Sequence, residues 1–166
     1  MLSTMIKTSL SIVLLTSAMA SFAGDLTVTK NVTVNASPDT VWKMVGDFNH
    51  LDVWHPVVVA SQLTHGGCQA NGAVRLLTLG NGATITEKLM ATNYADRSYT
   101  YMITESPLPI ADYVSTITVS EAADGKATVT WNSSFDANGA TDEEAINTIS
   151  GIYDAGLNSL DKHFNK

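Results

Sequence analysis

The sequence is short of the features that most directly reveal a function. Among 166 residues there is one cysteine, Cys68. A chain that enters an oxidising compartment with a single thiol forms no internal disulfide, so its stability must come from packing. Basic residues are scarce as well: nine Lys and Arg stand against sixteen Asp and Glu, a net charge of −7. No Lys/Arg cluster is present, which argues against nucleic acid or an anionic membrane surface as a partner. There is no phosphate-cradling glycine loop, no dinucleotide fingerprint and no G-x-S-x-G elbow. His50 and His55 lie five residues apart, His65 is remote, and no carboxylate–His spacing resembles a metal site. Neither a metal nor a cofactor is expected.

Long apolar runs are also missing, with one exception. In the first 23 residues Lys7 is the only charged side chain, and it precedes the run LSIVLLTSAMA. Small residues follow, with Ala18 and Ala20, or Ser21 and Ala23, where a signal peptidase prefers them. This is the pattern of a secretory signal peptide, cleaved after Ala23 or, alternatively, after Ala20. The run is short for a membrane span, and no Cys follows it as in a lipoprotein. Residues 1–23 are therefore expected to be removed, leaving residues 24–166 as one exported domain, periplasmic or secreted, without a stable membrane anchor. Losing Lys7 leaves 8 basic and 16 acidic residues, a net charge of −8.

What remains is patterned. LTVTKNVTVN alternates and is rich in Val and Thr, which predicts a strand. In ASPDTVWKMVGDF, Ser37 can cap a short helix with Pro38 at its first position and Val41, Trp42, Val45 and Phe48 on one face. NHLDVWHPVV adds a second short helical turn, closed by Pro56. Strands are then predicted near 58–65, 72–79, 83–93, 98–104, 111–121 and 126–136, several of them separated by Gly or Asp-Gly turns. A long helix over 142–165 ends the chain, with Thr141 and Glu144 placed as a capping box and an apolar stripe from Ile146 to Phe164. Consecutive strands with short turns form an antiparallel meander. The single long helix must bury its stripe against that sheet. A curved sheet around one helix closes unevenly and tends to leave a cavity on its concave face.

Five stretches taken in order, VWKMVGDFNHLDVWHP, GAVRLLTLGNGATITEKL, SYTYMITESPLPIADY, TVTWNSSFD and GIYDAGLNSL, resemble the polyketide cyclase/dehydrase-like branch of the START and pollen-allergen (SRPBCC) superfamily. The resemblance covers nearly all of the chain after the signal. It implies an α+β helix-grip fold, in which a curved antiparallel sheet wraps a long C-terminal helix, with short helices after the first strand and an internal ligand pocket. It names no ligand, because the superfamily contains lipid carriers, receptors, allergens and aromatase/cyclases.

Opposite charges at mirror positions mark the hairpin RLLTLGNGATITE. A three-residue loop, Gly80-Asn81-Gly82, sets Arg75 opposite Glu87, Leu77 opposite Ile85 and Ala73 opposite Leu89. A two-residue Asn-Gly turn sets Arg75 opposite Lys88, and like charges directly opposite destabilise a sheet. The first register is preferred. It places Arg75 and Glu87 on the apolar, concave face with Leu77, where they can meet the polar end of a ligand or simply fix the register of the sheet.

Other candidate positions each have an ordinary packing explanation beside the functional one. Trp54 and His55 precede the second strand; His55 could titrate, contact a ligand or act as a general acid/base. Tyr101, Tyr113 and Trp131 could line an apolar pocket and leave a polar handle inside it. ESPLPIADY resembles the loop that overhangs the pocket mouth in related folds, and Pro107 and Pro109 would stiffen it. Gly156 interrupts a good helix, so it marks either close helix–sheet contact or room for a ligand, with Leu157 and Leu160 as apolar neighbours. The expected function is sequestration or transfer of a small hydrophobic or amphipathic molecule. The alternatives are a cyclase or dehydratase, using Glu87, His55 or a Tyr to move protons, and an accessory protein of a periplasmic enzyme. No protein partner can be named.

Overall fold

The computed structural model describes residues 24–67 and 69–166. The segment read as a signal peptide and Cys68 lie outside the described residues. The elements run β1 (Leu26–Val34), α1 (Pro38–Val45), α2 (Leu51–Trp54), β2 (Val58–His65), β3 (Val74–Leu79), β4 (Thr84–Asn93), β5 (Ser98–Glu105), β6 (Ile110–Glu121), β7 (Ala127–Ala137) and α3 (Asp142–Phe164). Local chemistry sets their ends. Ser37 Oγ accepts from the Thr40 amide with Pro38 in the first turn of α1, and Thr141 and Glu144 cap α3 reciprocally.

The seven strands form one antiparallel sheet in the order β1-β7-β6-β5-β4-β3-β2. Strands β2 to β7 are a meander. β1 pairs with β7, so α1 and α2 carry the chain across from one edge of the sheet to the other. α3 lies on the sheet and buries Ala145, Ile149, Tyr153, Leu157 and Leu160 against it. This is the helix-grip fold. Among the described residues no helix is long and apolar enough to cross a membrane.

Two local features aim side chains at the inner face. In the β3–β4 hairpin, Arg75 pairs with Glu87 and Leu77 with Ile85. The three-residue loop closes with Gly82 at φ +85°, the left-handed residue that such loops require. In β6 the pairing with β7 shifts between Ala111 and Val114. Asp112 takes φ +51° there, and this bulge lets both Ile110 and Tyr113 point inward.

Candidate functional site

The inner face of β3 and β4 carries a fully buried ion pair. Arg75 Nε donates to Glu87 Oε2 at 2.7 Å, and Nη2 lies 2.6 Å from the same oxygen. Nη1 donates to the Phe48 carbonyl, in the connection between α1 and α2. The guanidinium also stacks over the Phe48 ring, 4.2 Å from its centroid. Arg75 is thus clamped from behind, between the sheet and the α1–α2 connection. Glu87 Oε1 has no hydrogen-bond partner among the described residues. Burial pushes the Glu87 pKa up, with Arg75 pulling against it and losing. Burial also works against the Arg75 charge, but Glu87, Tyr99 and Tyr101 outweigh it and hold the guanidinium protonated.

Next to this pair, aromatic side chains from β5, β6, β7 and α3 meet in a hydrogen-bonded chain. Trp131 Nε1 donates to the Tyr101 hydroxyl and to Ser115 Oγ, both at 3.0 Å. Tyr101 and Tyr113 hydroxyls are 3.5 Å apart, Tyr113 and Tyr153 hydroxyls 2.5 Å, and Tyr153 lies 3.1 Å from Ser115 Oγ. The Trp131 and Tyr153 rings stack with centroids 4.2 Å apart. Burial raises the pKa of the three tyrosines in this network: Tyr153 is pushed up to about 12, and Tyr101 and Tyr113 stand well above the ordinary value. All three are neutral phenols at physiological pH.

These groups border a cavity of about 210 Å³ between the sheet and the N-terminal half of α3. Its wall is almost wholly apolar. Buried Leu77, Ile85, Tyr101, Tyr113, Trp131 and Tyr153 form the inner part, together with His55 and Glu87. Partly exposed Val57, Leu79, Ile103, Leu108, Thr148 and Ile152 form the outer part. Leu108 comes from the proline-flanked loop between β5 and β6, whose turn is held by Ser106 Oγ accepting from the Leu108 amide at 2.9 Å.

Of the positions singled out in the sequence, His55, Leu77, Glu87, Tyr101, Tyr113 and Trp131 come together in the cavity wall. Trp54, Arg75, Gly156, Leu157 and Leu160 are buried but stand outside it. For Trp54 and the three α3 positions the reason is Gly156. A Cβ there would sit 2.6 Å from the His55 ring and 3.0 Å from the rings of Trp54 and Trp131. The missing side chain serves close contact, and the helix and three rings fill the space beyond. The face of α3 that borders the cavity therefore lies one to two turns earlier, at Thr148, Ile149, Ile152 and Tyr153.

His55 Nε2 donates to the Ile152 carbonyl at 2.9 Å, since a carbonyl can only accept. Nδ1 then carries the lone pair, buried and without a partner. Burial is the main cause that lowers the His55 pKa; the nearby Arg75 charge adds to it, and the Ile152 bond opposes it. His55 links α2 to α3 through this bond and also stands in the cavity wall. Two residues of the site were not singled out as such. Tyr153 is read in the sequence as one member of an apolar stripe. Ser115 sits at an inward position of β6 between Tyr113 and Ile117, and a small hydroxyl on a buried face is the signal that could have found it. Among the described residues, no group of three or more His, Cys, Asp or Glu is placed to hold a metal.

Comparison with known proteins gives consistent results. The profile of the family described as polyketide cyclase/dehydrase and lipid transport matches residues 25–165. The structure of the protein XoxI from Bacillus cereus is similar, with 38% identity, a TM-score of 0.79, and 84% of this chain and 96% of that one covered. A Bacillus thuringiensis protein matches with 37% identity and a TM-score of 0.79, covering 85% of this chain and 100% of the other. A Thermobifida fusca protein matches with 30% identity and a TM-score of 0.75, over 84% of this chain and 93% of that one. A search of curated proteins gave no match.

Proposed function

The chain belongs to the polyketide cyclase/dehydrase and lipid transport family, and we propose that it is an exported binding protein that holds one small hydrophobic or amphipathic molecule between its sheet and α3. One observation carries this reading: the cavity is apolar, and most of its few polar groups are already bonded to one another. Such a wall offers affinity through burial, at roughly 25 cal/mol per Å² of apolar surface, and Glu87 marks where a polar end would sit. The loop carrying Leu108 would part to admit the molecule. Sequestration or transfer follows from binding alone.

The test is native mass spectrometry of protein isolated from the exported fraction, followed by organic extraction. A stoichiometric amphipathic molecule is expected. An empty protein whose tryptophan fluorescence ignores every long-chain ligand would overturn the reading. The same spectrum gives the mature mass, which distinguishes cleavage after Ala23 from cleavage after Ala20 and would show an uncleaved chain if export is wrong.

One observation favours a second reading, an enzyme of the cyclase or dehydratase type. Glu87 is a carboxylate of raised proton affinity in the wall of an apolar cavity, as a general base would be. Glu87→Gln separates the two. A binding protein should keep its affinity within about tenfold, the effect of one altered hydrogen bond, whereas an enzyme using Glu87 as base should lose roughly 10²–10⁴ in rate.

A further inference from the structure

We propose that the cavity selects molecules whose polar end is a neutral hydroxyl, aliphatic or phenolic, and rejects carboxylates. This deepens the binding reading above and rests on it.

The hydrogens of the buried chain can be placed from its partners. Ser115 Oγ donates to the Asn132 carbonyl at 2.8 Å, because that oxygen can only accept. With its proton committed, Ser115 can only accept from Tyr153. Tyr153 has one proton, so Tyr113 must donate to Tyr153. Tyr101 is then left to donate to Tyr113 across 3.5 Å. Trp131 donates to Tyr101 and Ser115. All four hydroxyl protons therefore run one way, from Tyr101 toward a backbone carbonyl. What faces the cavity is mainly acceptor capacity.

The two contacts of Glu87 with the Arg75 guanidinium, at 2.7 and 2.6 Å, favour the ionised form against the pull of burial, and in that form Glu87 supplies the strongest acceptor. Arg75 neutralises Oε2 from behind and does not reach the cavity wall, while Oε1 is unpartnered among the described residues. One proton is loosely held, that of Tyr101, because 3.5 Å is the outer limit of a hydrogen bond. Glu87 pairs with Ile103 and Leu89 with Tyr101 on β4 and β5. Glu87 and Tyr101 are thus diagonal neighbours on the same face, within reach of one bridging group. A hydroxyl both donates and accepts, so it can serve Oε1 and Tyr101 together. An ionised carboxylate only accepts, and would set its charge against Oε1 with the guanidinium out of reach. An ammonium only donates, and brings a charge that the site, already neutral through Arg75, does not need.

The experiment is calorimetric titration of the full exported protein, stripped by organic extraction, with octan-1-ol, octanoate and octylamine at pH 7.5. Octan-1-ol should bind at least about tenfold tighter than either ion, the effect of leaving one buried polar group unmatched. Octanoate or octylamine binding as tightly as the alcohol would overturn the selectivity and leave the binding reading standing. No binding by any of the three would overturn both. Glu87→Gln, its fold checked by circular dichroism, should narrow the gap between alcohol and carboxylate to within about threefold, because the amide adds a donor. A folded variant with an unchanged gap would also overturn the assignment of Oε1. Should that variant not fold, Tyr101→Phe serves instead: it should weaken octan-1-ol without improving octanoate, and equal weakening of both would count against the proposal.

Discussion

Arg75 and Glu87 illustrate how one residue can be indispensable without adding stability. Burying two charges costs about as much as their attraction returns, but removing one leaves the other unpaired. Arg75→Met should therefore cost about 3–5 kcal/mol in urea unfolding, while Arg75→Met combined with Glu87→Leu should recover most of that loss. A double variant as unstable as the single one would show that Arg75 acts through its Phe48 contacts. His55 gives a pH-dependent counterpart. Burial lowers its folded pKa, so the unfolded chain takes up the extra proton first. The stability that neutral His55 contributes is complete above the usual histidine pKa of about 6.5 and is lost as pH falls below it. The raised pKa of Glu87 acts in the opposite sense, and comparison with a variant retaining Glu87 cancels it. The stability difference between wild type and His55→Gln, measured by urea unfolding, should shrink between pH 7.5 and 5.5.

At the scale of elements, α3 and the hairpin show what a sequence can and cannot reveal. Gly156→Ala would gain about 1 kcal/mol of helix propensity. The new methyl would meet the His55 ring at 2.6 Å, and that ring is held by its bond to Ile152. Overpacking of this kind costs about 1–3 kcal/mol, so net destabilisation is expected in thermal unfolding despite the better helix former. Strand positions, helix caps and the Arg75–Glu87 register were legible because each depends on local chemistry: period-two alternation, a capping box, a like-charge clash in the rival register. The cavity's location was only half legible. Residues 149–160 share one stripe at helical spacing, and periodicity cannot tell which turns touch the sheet and which leave a gap. That depends on three rings, Trp54, His55 and Trp131, arriving from elsewhere in the chain. The bulge at Asp112 was equally hidden. Alternation through IADYV gives no sign that two inward residues flank two outward ones.

At the scale of the whole molecule, the proposed binding function would link binding to folding. A ligand that occupies the folded cavity alone, present at 100 times its dissociation constant, adds about 2.7 kcal/mol of stability. Under that proposal, organic extraction of the purified protein should lower the melting temperature, and returning the extract should restore the value in a concentration-dependent way. A melting temperature indifferent to extraction would mean that the cavity contributes nothing to ligand capture. The two ends of α3 are held very differently. The far end is moored to β1: Lys30 pairs with Asp154 at 3.0 Å, Asn165 accepts from the Asn35 amide at 2.6 Å and donates to the Thr33 carbonyl at 3.2 Å, and Gly156 sits on packed rings. The helix is thus moored through its C-terminal half, while its N-terminal limb, anchored by buried Ala145, borders the cavity at Thr148, Ile149, Ile152 and Tyr153. Amide hydrogens of residues 146–152 should exchange faster than those of residues 155–162 in the empty protein and become protected once the space is filled; under the proposed function, the limb that covers a guest would then be the limb whose excursions set how fast the guest leaves.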